Sequence, residues 1–229
     1  MYSVSIEWSG WKDRRKLHAF RQLFEHGEGA LLRSVAFVPI VNTGDLERKG
    51  HYTRLVGQIY RQLTSQSALM PQTMAMSLDR EDRTESEKSE LIRAVGAKVF
   101  FLPRRTIENY LIHPEAILRV LQENLPTDLD SLTADEIALW IEKHAAEPKY
   151  KGGSIDDAQH KLTWLEKVDA PRLLADLFAQ FTDHKLEFRK VQHSVGLVQW
   201  LLGNQPRELD ELSEYVESLL EGSSGRQAI

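Results

Sequence analysis

Apolar residues in the first hundred positions fall into short continuous runs, whereas those in the rest of the chain recur every three or four residues. The runs at 2–6 (YSVSI), 34–41 (SVAFVPIV), 73–78 (TMAMSL) and 98–102 (KVFFL) have the length and the β-branched or apolar content of strands covered on both faces. Between them, 14–25 places Leu17, Phe20, Leu23 and Phe24 at helical spacing, and 52–63 does the same with Leu55, Val56, Ile59 and Leu63. Residues 85–95 (ESEKSELIRAV) predict a short polar helix closed by Gly96. Strands alternating with helices imply an α/β fold: a mainly parallel four-stranded sheet flanked by helices, with right-handed crossovers.

From Pro114 the period is helical and stays so. Segments beginning at 114, 133, 154, 170, 195 and 206 all read as helices, several with a Thr, Ser, Asp or Pro start and a Gly or Asn stop. Two domains are therefore expected: residues 1–112 around the sheet, and an all-α C-terminal subdomain over 113–229. The segment PKYKGG, 148–153, reads as a flexible basic loop, and SSGRQAI as a frayed tail.

Composition narrows the chemistry. The 229 residues include no cysteine, which removes disulfides, zinc–thiolate sites, iron–sulfur clusters and thiol nucleophiles together. The histidines are scattered, with neither HxH nor HExxH, and GxxxxGK[ST] and GxSxG are both absent. The net charge of -5 disfavours a protein that simply coats nucleic acid, so a polyanionic partner would need local arginines or bridging metal ions. No apolar run is long enough to span a membrane, and the N-terminus lacks the order of a signal peptide, so a soluble cytoplasmic protein is expected.

The remaining chemistry sits at strand ends. The third run passes into LDREDR (78–83), the fourth into RRTIENYL (104–111), and Glu7 follows the first. In open α/β sheets, ligands gather beyond the carboxyl ends of the strands. Asp79 and Glu81, at i and i+2, would face one side of an extended chain and offer hard oxygens to magnesium or manganese. The alternative is a solvated turn whose acids pair with Arg80 and Arg83. Glu108 is bracketed by residues that should be buried, which calls for a metal or a cation such as Arg104 or Arg105, unless it serves as a helix N-terminal acid. Arginines beside a carboxylate–metal site suit bidentate contacts to phosphate, which makes Arg80, Arg83, Arg104 and Arg105 candidates.

Taken together, Glu7, SLDRED and RRTIENYLIHPEAI resemble the TOPRIM domain of the OLD-family (overcoming lysogenization defect) nucleases and of related phage-defence nucleases that act with an ABC-type ATPase. The resemblance covers residues 1–118, and RRTIENYL is its most specific part. It implies catalytic roles for Glu7, Asp79, Glu81 and Glu108. Glu7 matches the strand-one glutamate, and Asp79 matches the first acid of a DxD, with Ser77 also fitting. Glu81 stands in the second DxD place and Asp82 one residue out of step. Glu108 matches the ENYL glutamate and would bear on a second metal; Asp13 can match the strand-one motif only if two residues are inserted in EWSGWKD.

The resemblance further implies Mg2+ or Mn2+ as cofactor and hydrolysis of phosphodiester bonds in DNA or RNA, tRNA included. A basic residue of the helical half, Lys190 or His193, would complete the phosphate contacts. A chain that opens directly on its first strand leaves no room for an ATPase of its own, so a separate ABC-type ATPase is the expected partner, in a homo-oligomer or hetero-complex. A degenerate TOPRIM scaffold or sensor subunit is the alternative, motivated by the altered strand-one motif and by Glu81.

Overall fold

The computed structural model describes residues 2–6, 35–37, 75–95, 98–125, 129–153, 155 and 158–224. Four short strands, β1 (Tyr2–Ile6), β2 (Val35–Phe37), β3 (Ala75–Leu78) and β4 (Lys98–Phe101), pair in parallel in the order β2–β1–β3–β4. The registers align Val4 with Phe37, Ile6 with Ser77, and Leu78 with Phe101. Beside this small parallel sheet the described chain is mostly helical, an α/β arrangement. The helices expected at 14–25 and 52–63 lie outside the described residues.

Helix α1 (Glu85–Val95) joins β3 to β4. Its start is set by a reciprocal cap: Thr84 donates from its amide and its hydroxyl to Glu87 Oε2, at 2.8 and 2.9 Å, and the Glu87 amide donates back to Thr84 Oγ1. The later helices are α2 (Pro114–Asn124), α3 (Ala134–His144), α4 (Ala158–Lys167), α5 (Ala170–Phe181), α6 (Lys190–Asn204) and α7 (Asp210–Ser224). No helix among the described residues is long and apolar enough to cross a membrane.

The chain divides into two compact units, at different points from a 112/113 boundary. One comprises Met1–Leu102 with Glu211–Ile229, and the other Pro103–Asp210. The C-terminal helix therefore belongs with the sheet. Its buried residues Leu212, Tyr215, Val216 and Leu219 form a stripe at helical spacing, and the Tyr215 hydroxyl lies 2.7 Å from Ser77 Oγ on β3.

In the second unit α2 packs on α3 and α6. Ile117 and Leu121 from α2, Ile137 from α3, and Leu197 and Leu201 from α6 are buried. Gly196 permits the approach of α6 to α2, since a Cβ there would meet Val120 Cγ2 at 3.1 Å. Trp164 of α4 is core, and its indole donates to Ala145 O at 3.1 Å.

The loop at 148–153 is anchored rather than loose. Tyr150 is buried, its hydroxyl donates to Asp176 at 2.8 Å, and its carbonyl accepts from the Asp169 amide at 2.7 Å. Lys149 pairs with Asp176 and Glu147, and Gly152 sits so close to Trp164 that a Cβ would overlap the indole ring. Read as loop-formers, Pro148, Gly152 and Gly153 conceal the aromatic anchor between them.

Candidate active site

Strand order locates the candidate site. The chain passes from β1 to β2 on one side, then returns across to β3 on the other, so the reversal of order falls between β1 and β3. At such a reversal the crossover connections diverge to opposite faces and leave a crevice beyond the strand ends. β1 ends at Ile6, in register with Ser77. Glu7 is the next residue of the chain; it and Asp13 lie outside the described residues.

Asp79 directly follows β3 and is 9% exposed. The strand end is held by Leu102, whose amide donates to Leu78 O at 3.0 Å. Beyond Asp79 the chain turns at once, with the Arg83 amide donating to Arg80 O at 3.3 Å and Glu81 in the left-handed region at φ 47. A side-chain-bearing residue adopts that backbone at a cost of order 1 kcal/mol. Arg83 staples the turn: Nη1 donates to Asp79 O at 2.8 Å, and Nη2 pairs with Glu81 Oε2 at 3.3 Å.

Extended geometry thus stops at Leu78, so no strand pleat holds Asp79 and Glu81 on one side. Glu81 is engaged by Arg83 in the manner of the solvated-turn alternative, and Asp82 is exposed. Asp79 is the buried carboxylate of the segment. Among the described residues no group of three or more histidine, aspartate and glutamate side chains is arranged to hold a metal ion.

A residue that local spacing does not reveal is bonded to the strand that leads into Asp79. Tyr215 of α7 shares a hydrogen bond with the fully buried Ser77, two residues before Asp79. Burial pushes the Tyr215 phenol pKa well up; the Ser77 hydrogen bond opposes that rise in part, and the negative charge of Asp79 adds a smaller push upward. The phenol is therefore protonated across the neutral range and available as a hydrogen-bond donor.

The RRTIENYL segment belongs to the second unit, where it forms a clasp. Ile107–Tyr110 make one 3-10 turn. Asn109, fully buried, accepts from the Thr106 amide at 3.0 Å and the Thr106 hydroxyl at 2.8 Å, and donates to Leu165 O and Val168 O, both at 2.8 Å. Arg104 lies over the Tyr110 ring at 4.3 Å and donates to Asn109 O at 3.1 Å. The Arg105 amide donates to Glu166 O at 2.9 Å. Much of the most specific motif is thus accounted for by architecture. Glu108 is 2% exposed, which fits a carboxylate at the edge of a core.

Lys190 opens α6. His193, the other candidate cation of the helical half, is buried against Phe178 and Phe188, with ring centroids 5.0 and 5.8 Å away. Its Nδ1 accepts from the Arg189 amide at 2.9 Å, which makes it the cap of its own helix. Burial, with the charge of Arg189, lowers its pKa from the ordinary 6.5 to about 4. A neutral imidazole offers phosphate no charge near pH 7, so His193 is not that cation.

A pH dependence follows from this burial. Below pH 6.5 the unfolded chain takes up a proton that folded His193 refuses until about pH 4, so stability falls by about 1.4 kcal/mol per pH unit across that window. The total loss is about 3 kcal/mol. His193→Asn keeps an acceptor for the Arg189 amide but does not titrate, and urea unfolding of the two proteins between pH 7 and 4 should show a shallower decline in the variant. Equal slopes would contradict the assignment.

The chain matches no protein-family model, no curated protein and no solved structure.

Proposed function

We propose that this protein is a divalent-metal-dependent nuclease of TOPRIM type, hydrolysing phosphodiester bonds of DNA or RNA. The observation that carries the reading is the buried carboxylate of Asp79, at the carboxyl end of β3 beside the reversal of strand order. A buried carboxylate needs a cation or hydrogen-bond donors to offset its lost hydration, and its hard oxygens suit Mg2+ or Mn2+. Glu7, next in the chain after β1, is the second ligand in this reading. Either Glu81, released from Arg83, or Asp82 supplies another.

Bound metal would supply Lewis-acid activation of a water and neutralise charge on the phosphate. Asp79 orients the site from a fixed strand end, and Arg80 and Arg83, on the adjoining turn, offset charge developing on the phosphoryl oxygens. Hydrolysis adds hydroxide to phosphorus and returns a proton to the departing sugar oxygen. An ABC-type ATPase partner in a cytoplasmic phage-defence assembly is the setting that the resemblance of SLDRED and RRTIENYL supports.

Incubation of the purified chain with supercoiled plasmid and with tRNA, in Mn2+ or Mg2+, tests this. Cleavage should require the metal and should vanish in Glu7→Ala and in Asp79→Ala; activity retained in both variants would refute the site. The Glu81–Arg83 pair favours a second reading, a scaffold or sensor subunit with a lapsed site. That reading gains if calorimetry finds no Mn2+ or Mg2+ binding at millimolar concentration.

A further inference from the structure

Ser77 and Tyr215 are 138 positions apart, yet their hydroxyls meet at 2.7 Å in a buried setting. Packing does not require this. A hydrogen-bonded pair of buried hydroxyls contributes a net of about 1 kcal/mol, and two apolar groups of the same shape would serve nearly as well. Leu212, Val216 and Leu219 already supply α7 with a buried apolar stripe. What the pair adds is direction, because a hydrogen bond fixes the lateral position of the end of β3 to within a few tenths of an ångström, where apolar contact tolerates sliding.

Ser77 pairs with Ile6 at the end of β1 and lies two residues before Asp79. The bond is therefore made at the end of β3 that is paired with the end of β1, just before Asp79. We infer that Tyr215 is a positioning residue for Asp79, acting through Ser77, so that the C-terminal helix sets the geometry of the carboxylate site. This rests on Asp79 being a metal ligand. Groups that orient a metal's ligands without touching the metal typically change affinity by about 10-fold or more when removed, and that is the size of effect expected here.

Calorimetric titration of Mn2+ into the full chain tests it, with thermal unfolding recorded for each variant. Wild type should bind, Asp79→Asn should not, and Tyr215→Phe and Ser77→Ala should each bind about 10-fold more weakly. The double variant should be no weaker than either single one, because one bond is lost in all three. A purely structural role would lower the melting temperature without that shared loss of affinity. Tyr215→Phe and Ser77→Ala binding Mn2+ as wild type does, while Asp79→Asn fails to bind, would overturn the inference and leave Asp79 in place. Absence of binding by wild type, or undiminished binding by Asp79→Asn, would remove the metal-site reading and this inference with it.

Discussion

Truncation after Asp210 is expected to unfold the sheet and not merely to shorten a helical appendage. Residues 211–229 carry Leu212, Tyr215, Val216 and Leu219 into the unit built around β1–β4. Each such side chain contributes about 1.5–3 kcal/mol by leaving water, so together they contribute about 6–12 kcal/mol. A whole domain retains only about 5–15 kcal/mol of net stability. The truncated chain should therefore lose cooperative unfolding of the sheet unit. Hydrogen exchange read by mass spectrometry should show peptides over Ala75–Leu78 and Lys98–Phe101 exchanging at the rate of an unfolded chain. Protection in those strands equal to that of the full chain would place α7 outside the unit.

Asn109→Ala should cost the second unit about 4 kcal/mol or more. The side chain makes four hydrogen bonds at 2.8–3.0 Å, two closing the 3-10 turn through Thr106 and two capping carbonyls at the end of α4. Its removal strands two donors and two acceptors, three of the four bonds being buried and that to Leu165 O part-buried, at about 1–3 kcal/mol for each group that finds no new partner. The expected fall in melting temperature is about 10 °C, at roughly 2–4 °C per kcal/mol for a chain of this size. Asn109→Asp should do no better, since it keeps the acceptors but turns a negative charge toward the carbonyls of Leu165 and Val168. A shift of less than about 2 °C in Asn109→Ala would show that the clasp is not what holds the turn to α4.

These two cases show where the sequence is legible and where it is not. Strand runs are legible because parallel strands are apolar on both faces. α1 is legible to the residue because its punctuation is local: Thr84 and Glu87 cap one end, and Gly96 follows the other. The start of α6 is less so. Its apolar pattern begins near Val195, while the helix starts at Lys190, capped from within by His193 rather than by a conventional Ser, Thr or Asp.

What α7 faces cannot be read from its stripe, since periodicity marks a buried side and says nothing of its partner. Ser77–Tyr215 is invisible for the same reason. The acids of LDREDR are visible as composition, but the left-handed backbone at Glu81 and the Arg83 staple depend on how the chain leaves the strand. ENYL is visible as a motif, yet the roles of Asn109 and Tyr110 emerge only when Leu165, Val168 and Arg104 are brought beside them.

A crystal structure of the chain with Mn2+, read by anomalous scattering, tests most directly whether Asp79 holds a metal. An anomalous peak is expected beyond the carboxyl ends of β1 and β3, with the carboxylates of Asp79 and Glu7 both in its first coordination sphere. No peak there, or a manganese ion that Asp79 does not ligate, would contradict the proposed site.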